Sequence, residues 1–269
     1  MRQFSADYLD RTRRGMWADD RTALAGLSLS DRERVLDVGC GTGELTAVLG
    51  EETDAKLVGV DADTGLLAAA ADRHADSPRP ALAAGDAARL PFPDDSFDLV
   101  VCQALLVNLP EPVGALREFA RVSRELVAAV EPDNADVAVS STVATETQLE
   151  RAAREAFIDG VGTNVTTGAL SETFTDAGLS QVTTNRYHHE KRIEPPYSAA
   201  DLEGATRKAT GSALATHETE LRRALSAEAY DDLRRRWRAM GRTVVDQMQT
   251  EEYERAEVVP FDVVVGRVS

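Results

Sequence analysis

The chain has 269 residues, 43% of them hydrophobic, and its 46 acidic and 30 basic residues give a formal net charge of −16. This length suffices for one large or two small domains with a complete hydrophobic core. No apolar run approaches the length of a membrane span and no signal peptide precedes the first predicted strand, so we expect a cytoplasmic protein that makes no membrane contact. The two cysteines, Cys40 and Cys102, have the spacing of neither a zinc knuckle nor a disulfide framework.

The acidic residues are spread along the whole chain, and among the 30 basic residues only three are lysines. Such an acidic surface is typical of a halophilic protein, in which high salt screens the repulsion between like charges. An acidic face for a basic partner is the alternative interpretation. The sequence shows no basic stripe, so we expect no nucleic-acid partner.

The N-terminal segment, residues 2–29, mixes apolar and aromatic residues with arginines and predicts an amphipathic helix. This helix could be ordinary core that covers the sheet edge, or a lid over a ligand. The apolar run 35–38 then leads into Gly39, Gly41 and Gly43, which is typical of a buried strand, a tight turn and the start of a helix. Glycines suit this turn because its backbone enters conformations closed to residues with a Cβ, and because a ligand can lie against the main chain. The sequence therefore predicts a loop that cradles a nucleotide, facing the amides of a helix start.

This glycine pattern differs from the dinucleotide-binding motif G-x-G-x-x-G, because Glu44 stands where that motif has its third glycine. A carboxylate there would repel a pyrophosphate. Asp37, two residues before the first glycine, suits instead a ligand that carries an ammonium group.

Acidic residues also follow the next two predicted strands, residues 57–60 and 81–84. Asp61 ends the first of them, where a carboxylate can accept hydrogen bonds from ribose hydroxyls. It could instead cap the next helix, but Asp63 or Thr64 is better placed for that. Asp86 follows the second strand, and a turn aspartate that bonds its own backbone is the alternative interpretation there.

These features resemble the signatures of class I S-adenosylmethionine (SAM)-dependent methyltransferases, in the small-molecule group of methyltransferase types 11 and 25. The resemblance rests on the glycine loop, on Asp61, and on Gly85-Asp86-Ala87 followed by Leu90-Pro91-Phe92. It covers roughly residues 32–190 and the last predicted strand. It implies an α/β, Rossmann-like fold: a seven-stranded, mostly parallel sheet with helices on both faces, N-terminal helices, and a helical insertion before the last strand. It also implies SAM as methyl donor and S-adenosylhomocysteine (SAH) as product.

The resemblance further implies roles for individual residues. The donor would contact Asp37, Gly39, Cys40, Gly41, Gly43, Asp61, Ala62, Asp86, Ala87, Cys102 and Gln103. In such proteins Ala62 would lie against the adenine, Asp86 would bond the adenine amino group, and Ala87 would offer a backbone amide. N-terminal helices often close over the donor, which makes Tyr8, Arg14 and Trp17 candidates for the acceptor pocket, together with Asn108 at the sheet edge.

Methyl transfer by in-line displacement requires mainly that acceptor and methyl group are aligned and water is excluded. An acceptor that loses a proton also needs a base, and His188, His189 and Glu131 are candidates at predicted strand ends. His74 and His217 lie in helical, charged segments and are expected to be solvated.

Other chemistries find less support in the sequence. Cys102 before Gln103 is similar to the nucleophile of cytosine methyltransferases, but Val101 replaces the proline that precedes it there, so a buried thiol is the preferred interpretation. The Asn-Pro-Pro-Tyr motif of nucleic-acid amino methyltransferases is absent. No residues have metal-ligand spacing, so no metal is expected.

The prediction is one SAM-dependent methyltransferase domain over residues 1–269. It comprises an N-terminal helical cap (1–31), a SAM-binding core (32–190), a helical insertion (198–252) and a final strand (258–268). Further strands are predicted at 97–102, 126–131 and 181–187, and helices from 112, over 141–158 and over 169–177. The expected function is methyl transfer to a small-molecule acceptor by a monomer or homodimer. Alternatives are a SAM-binding sensor or inactive partner, and a methyltransferase acting on protein or RNA.

Overall fold

The computed structural model describes residues 5–13, 15–18, 21–75 and 80–268. The chain divides into two compact units. The first comprises Met1–Pro132, Thr166–Tyr187 and Phe261–Ser269, and the second comprises Asp133–Val165 and His188–Pro260. A single methyltransferase domain over the whole chain therefore stays a prediction.

Eight strands and ten α-helices are present in the described ranges. The strands are β1 (Arg34–Val38), β2 (Lys56–Asp61), β3 (Ala81–Ala84), β4 (Phe97–Gln103), β5 (Ser123–Pro132), β6 (Ala138–Ser141), β7 (Ser180–Ile193) and β8 (Arg255–Arg267). The helices are α1 (Ala6–Arg13), α2 (Glu44–Glu52), α3 (Thr64–Arg73), α4 (Pro112–Val122), α5 (Ala144–Gly160), α6 (Leu170–Asp176), α7 (Ala199–Thr210), α8 (Ser212–Ala215), α9 (Glu218–Ala224) and α10 (Ala227–Gln249).

The first unit is built on a mostly parallel sheet. Its strands follow the order β3-β2-β1-β4-β5-β8, and β7 also pairs with β8. The first five strands run parallel, whereas β8 runs antiparallel to β5. All seven residues of β4 are buried, as expected of a central strand in a parallel sheet. The predicted α/β, Rossmann-like fold with a seven-stranded, mostly parallel sheet is thus confirmed.

The chain crosses from one side of β1 to the other between β3 and β4, and this strand order places a crevice at the carboxyl ends of β1 and β4. The helix starts beside that crevice follow the sequence. Asp63 caps α3 by accepting hydrogen bonds from the amides of Gly65 and Leu66, and Pro112 stands in the first turn of α4. The crevice is therefore the place where this fold positions a ligand.

The second unit contains α5, α7 to α10 and β6, which pairs with residues 255–258 of β8. Its core includes the buried face of α10, as the spacing predicts: Tyr230, Leu233, Trp237, Met240, Val244 and Met248. The opposite face of α10 exposes Arg234, Arg235, Arg236, Arg238 and Arg242. The absence of a basic stripe, stated from the sequence, is therefore wrong for this helix.

A network of charges lies inside this second unit. Lys208 contacts the carboxylates of Glu146 and Glu150, and Arg255 contacts Glu150 at 2.6 Å. The Tyr253 hydroxyl donates to Glu146, which has no exposed surface. Buried charges are tolerated only when they are paired in this way, so the network ties α5, α7 and β8 together.

No helix in the described part of the chain is both long and apolar enough to cross a bilayer.

Candidate functional site

The predicted glycine loop lies between β1 and α2. Gly39, Gly41 and Gly43 have φ values of +68°, +56° and +82°, in the left-handed region that favours glycine. The loop is fixed to the neighbouring strand because the amides of Gly39 and Cys40 both donate to the carbonyl oxygen of Val60. The turn predicted from the three glycines is therefore the one that the structure has.

The back of this loop packs against His74. A Cβ built on Gly43 would lie 2.8 Å from Nε2 of His74. His74 is buried. Burial lowers the pKa of His74. The expectation that His74 is solvated is therefore wrong, because the loop covers the end of α3.

Asp61, at the end of β2, holds the loop from the other side. Its Oδ2 accepts a hydrogen bond from the amide of Gly41 at 2.9 Å, and its Oδ1 accepts one from the amide of Asp63 at 2.8 Å. Each carboxylate oxygen keeps a further lone pair. Asp61 can therefore organise the loop and still accept hydrogen bonds from a ligand.

A cavity of about 350 Å³ opens beside this loop, within the usual ~300–1,000 Å³ of small-molecule sites. Several residues predicted for the donor or acceptor line it: Gly39, Gly41, Asp61, Ala62, Ala87 and Asn108. Its wall also contains residues that the sequence did not single out for a site: Leu9, Arg13, Val38, Asp63, Thr64, Leu66, Gly85, Ala104 and Leu105. The cavity thus gathers residues from all three signatures at one sheet edge.

Other predicted donor residues stand outside this wall: Asp37, Cys40, Gly43, Asp86, Cys102 and Gln103. Asp86 is exposed, and its carboxylate accepts the amide of Ala88 at 2.9 Å, the turn bond that the sequence left as an alternative. Cys40 is buried, and desolvation raises the pKa of its thiol. These residues shape the loop and strand ends, and their contact with a ligand stays a prediction.

Asp37 lies in β1 behind the glycine loop. Its Oδ2 accepts a hydrogen bond from the Thr46 hydroxyl at 2.6 Å, whereas its Oδ1 is buried without a hydrogen-bond partner among the described residues. Burial raises the pKa of Asp37 to about 6. An unsatisfied buried carboxylate oxygen favours a positively charged neighbour, in keeping with the ligand ammonium group expected from the sequence.

The N-terminal segment is attached to the end of β4 through Gln103. The Gln103 carbonyl oxygen accepts a hydrogen bond from Arg13 at 3.3 Å, and its side-chain oxygen accepts one from Nε1 of Trp17 at 3.3 Å. Trp17 also stacks on Tyr187, with 5.6 Å between the ring centroids. These contacts place Arg13, and with it α1, beside the cavity.

Of the acceptor-pocket candidates in this segment, Tyr8 and Trp17 do not line the cavity, and Arg14 lies outside the described residues. Leu9 and Arg13 line it instead. The amphipathic pattern indicated a covering helix, but which of its side chains face the cavity depends on the bonds to Gln103. A sequence alone does not show those bonds.

Cys102 and Glu131 lie side by side under the loop that follows β4. The Cys102 thiol is buried, 3.7 Å from a carboxylate oxygen of Glu131, and desolvation raises its pKa well above the usual range. A thiol in this state is a poor nucleophile, in agreement with the preferred interpretation from the sequence. Glu131 has no exposed surface and is absent from the cavity wall.

The two other candidate bases belong to the second unit. His188 is exposed, whereas His189 is 4% exposed and its Nε2 has no hydrogen-bond partner among the described residues. Burial lowers the pKa of His189 to about 4. With so low a pKa, His189 is neutral at pH 7 but is a weak base. A catalytic role for His188 or His189 stays a hypothesis.

Comparison with known proteins agrees with this geometry. Residues 36–130 match the family model described as Methyltransferase domain. The matched segment is thus similar to a methyltransferase domain. The match contains the last three residues of β1, strands β2 to β4 and most of β5, together with the loops that line the cavity. Helix α1 lies outside it.

Curated relatives share this methyltransferase domain over part of their length. The demethylmenaquinone methyltransferase of Beutenbergia cavernae is 40% identical over 104 residues, which are 39% of this chain and 42% of that protein. Methyltransferase GfsG of Streptomyces halstedii is 33% identical over 136 residues, 44% of this chain and 49% of that protein. The matches thus span less than half the length of these relatives.

Solved structures match more of the chain at lower identity. The YcgJ protein of Bacillus subtilis is 18% identical with a TM-score of 0.52, covering 93% of this chain and 100% of that one. A chain from the complex between the Haloferax volcanii Trm112 methyltransferase activator and a methyltransferase is also 18% identical, with a TM-score of 0.53, covering 98% and 95%. At these identities the likeness concerns the fold alone.

Proposed function

We propose that this protein transfers the methyl group of SAM to a small-molecule acceptor. The observation that carries the proposal is that one cavity collects residues of three signatures: the glycine loop, Asp61 with Ala62, and Ala87. SAM, when bound, supplies a methyl group that is already activated for displacement. The cavity residues fit such a donor, because glycine main chain, a carboxylate and apolar side chains line one space of about 350 Å³.

In this proposal the residues of the chain bind and orient the donor. Asp61 accepts hydrogen bonds from the ribose hydroxyls with the lone pairs left free by the amides of Gly41 and Asp63. Gly39 and Gly41 adopt positive φ values and have no side chains, so the ligand can lie against the main chain at these two positions. Leu66 and Leu105 exclude water from the apolar part of the donor.

The class of the acceptor is supported by the relatives. Demethylmenaquinone methyltransferases are named for a small organic acceptor, and they share the donor-binding domain at about 40% identity. The match to the domain family ends at residue 130, before the second unit. We therefore propose the small-molecule class and leave the individual acceptor to experiment, together with the assembly as a monomer or homodimer.

The test is an acceptor screen that follows release of SAH from SAM by mass spectrometry, with quinones, phenols and amines as acceptors. The matched control is Asp61→Ala, which should lose turnover on any acceptor that the wild type uses. Acceptor-dependent SAH and a methylated product would support the proposal. SAM that binds and stays intact across the screen would support a sensor or an inactive partner instead.

A further inference from the structure

The loop that follows β4 forms part of the cavity wall through Ala104, Leu105 and Asn108. Its backbone is constrained, because Ala104 has a φ of +50°, in a region that residues with a Cβ rarely adopt. Asn108 closes the turn by donating from Nδ2 to the carbonyl oxygen of Ala104 at 2.9 Å. Such a conformation persists only when surrounding contacts determine it.

Those contacts come from Glu131, at the end of β5. Its Oε1 accepts hydrogen bonds from the amides of Leu105 and Leu106, both at 2.9 Å, and its Oε2 accepts one from the amide of Val107 at 3.3 Å. The side chain has no exposed surface. One buried carboxylate thus binds three consecutive amides of the turn.

We propose, on the basis of the proposed function, that Glu131 is a positioning residue of the donor site and not the base that deprotonates the acceptor. Its carboxylate holds the turn 105–107 and so places Ala104, Leu105 and Asn108 in the cavity wall. A base must reach the proton that it takes, whereas Glu131 has no exposed surface and does not line the cavity.

This arrangement makes the turn sensitive to protonation. Burial raises the pKa of Glu131 to about 7, while the three amide bonds oppose that shift by favouring the ionised form. When the carboxyl group takes up a proton, it loses part of its capacity to accept hydrogen bonds. The turn is therefore held most firmly above pH 7 and loosens as the pH falls.

The groups around Glu131 lie on three neighbouring strands. The Cys102 thiol on β4 stays protonated, because its pKa is raised well above the usual range. On β8, Asp262 is the register partner of Glu131 and is held by Arg186 at 2.8 Å. On β1, Asp37 raises the pKa of the Cys102 thiol, as Glu131 does, and its own pKa is about 6. Asp37 therefore titrates in the same pH range as Glu131, and a Glu131 variant is needed to separate the two effects.

Two variants provide the test. Glu131→Gln removes the charge at the same size. Asp98→Asn is the matched control, because Asp98 is also buried and accepts main-chain amides, those of Glu33 and Arg34, but at the amino end of β1, the sheet edge opposite the cavity. Both variants lose a buried carboxylate, but only the carboxylate of Glu131 binds the turn.

The first readout needs no ligand: hydrogen exchange of the peptide covering 104–109, corrected for intrinsic rates. We expect about tenfold faster exchange in Glu131→Gln and no change in Asp98→Asn. In the wild type, protection of this peptide should fall between pH 8 and pH 6. Unchanged protection of this peptide in Glu131→Gln would overturn the proposal. If that variant fails to fold, unchanged protection in the wild type between pH 8 and pH 6 would overturn it instead.

The second readout is the affinity for SAH. Because the ionised carboxylate holds the turn that lines the cavity, wild-type affinity should fall between pH 8 and pH 6 as Glu131, with a pKa of about 7, takes up a proton. Glu131→Gln should lose that part of the pH dependence and keep any part due to Asp37, whereas Asp98→Asn should behave as the wild type. An unaltered profile in Glu131→Gln would contradict the proposal. If the wild type binds neither SAM nor SAH, the proposed function fails, and the exchange measurement still decides the role of Glu131.

Discussion

Replacement of Asp61 by alanine tests the two roles that the structure gives this carboxylate. Asp61 accepts hydrogen bonds from the amides of Gly41 and Asp63 at 2.9 and 2.8 Å. A buried donor left without its acceptor costs roughly 1–3 kcal/mol, and this applies to the amide of Gly41, whereas water can replace the bond of the exposed Asp63. We therefore expect Asp61→Ala to lower the free energy of unfolding by about 1–3 kcal/mol.

The proposed bonds to the ribose add a second effect. Loss of charge-assisted hydrogen bonds to the ligand should weaken SAH binding by roughly 1–3 kcal/mol, which is about 5- to 150-fold in Kd. Asp61→Asn keeps one acceptor oxygen and should lose less in both measurements. Denaturant unfolding of the ligand-free protein and calorimetric titration with SAH measure the two effects separately.

Asp86→Ala is the comparison variant, because the resemblance assigns Asp86 to the adenine amino group whereas the structure leaves it outside the cavity wall. Asp86 follows the neighbouring strand β3 but is exposed, bonds the amide of Ala88, and does not line the cavity. We expect its Kd for SAH to change less than about threefold, within the effect of one weak hydrogen bond. A folded Asp61→Ala protein with unchanged SAH affinity would refute the ribose role, and an equal loss in both variants would refute its assignment to Asp61 in particular.

Three further predictions follow from the same structure. Gly43→Ala should lower the free energy of unfolding by about 1–3 kcal/mol, because the new Cβ would lie 2.8 Å from His74 and the residue has a positive φ. Gly114→Ala has open space around its Cβ, so it should be neutral or slightly stabilising in the same denaturant unfolding measurement. In the folded protein the pKa of His189 is lowered to about 4, so the unfolded chain takes up this proton first as the pH falls. The free energy of unfolding should therefore fall by roughly 2–3 kcal/mol as the pH drops from 6.5 to 4. His189→Gln should lose this slope and the exposed His188→Gln should keep it; equal slopes in all three proteins would contradict the assignment. With a net charge of −16, thermal unfolding should occur at a higher temperature in 2 M KCl than in 0.1 M KCl, and equal stability in both would argue against the halophilic interpretation.

Local patterns in the sequence predicted most of the sheet and the loop. The apolar runs that became β1, β4 and β5 are largely buried because parallel strands are covered on both faces, and β2 is buried at Gly59 and Val60. The three glycines predicted a left-handed turn because few other residues adopt those φ values. Apolar residues at steps of three and four along α10 predicted its buried face, because such residues share one side of a helix.

Elements that depend on partners distant in sequence were missed. β6, residues 138–141, is short and alternates between exposed and half-buried positions, and only its pairing with β8 makes it a strand. The prediction placed a helix from residue 141, but Ser141 belongs to that strand and the helix begins at Ala144. β7 continues past Tyr187 to Ile193 through polar residues that carry no apolar signal.

The same limit applies to the cavity. Asp61 and Ala87 could be assigned because their positions after strands follow from topology. Arg13 lines the cavity because Gln103, 90 residues further along the chain, accepts its hydrogen bond. The amide contacts of Glu131 likewise arise from the pairing of β4 with β5. Such contacts are set by tertiary structure, and no periodicity or motif in the sequence reports them.

The measurement that tests the account most directly is calorimetric titration of the purified protein, in molar KCl, with SAM, SAH and NAD in turn. The account predicts that SAM and SAH bind in the cavity beside the glycine loop, that Asp61→Ala weakens both, and that NAD does not bind. Binding of NAD without binding of SAM or SAH would show that the loop holds a dinucleotide, and would contradict the proposed methyl transfer.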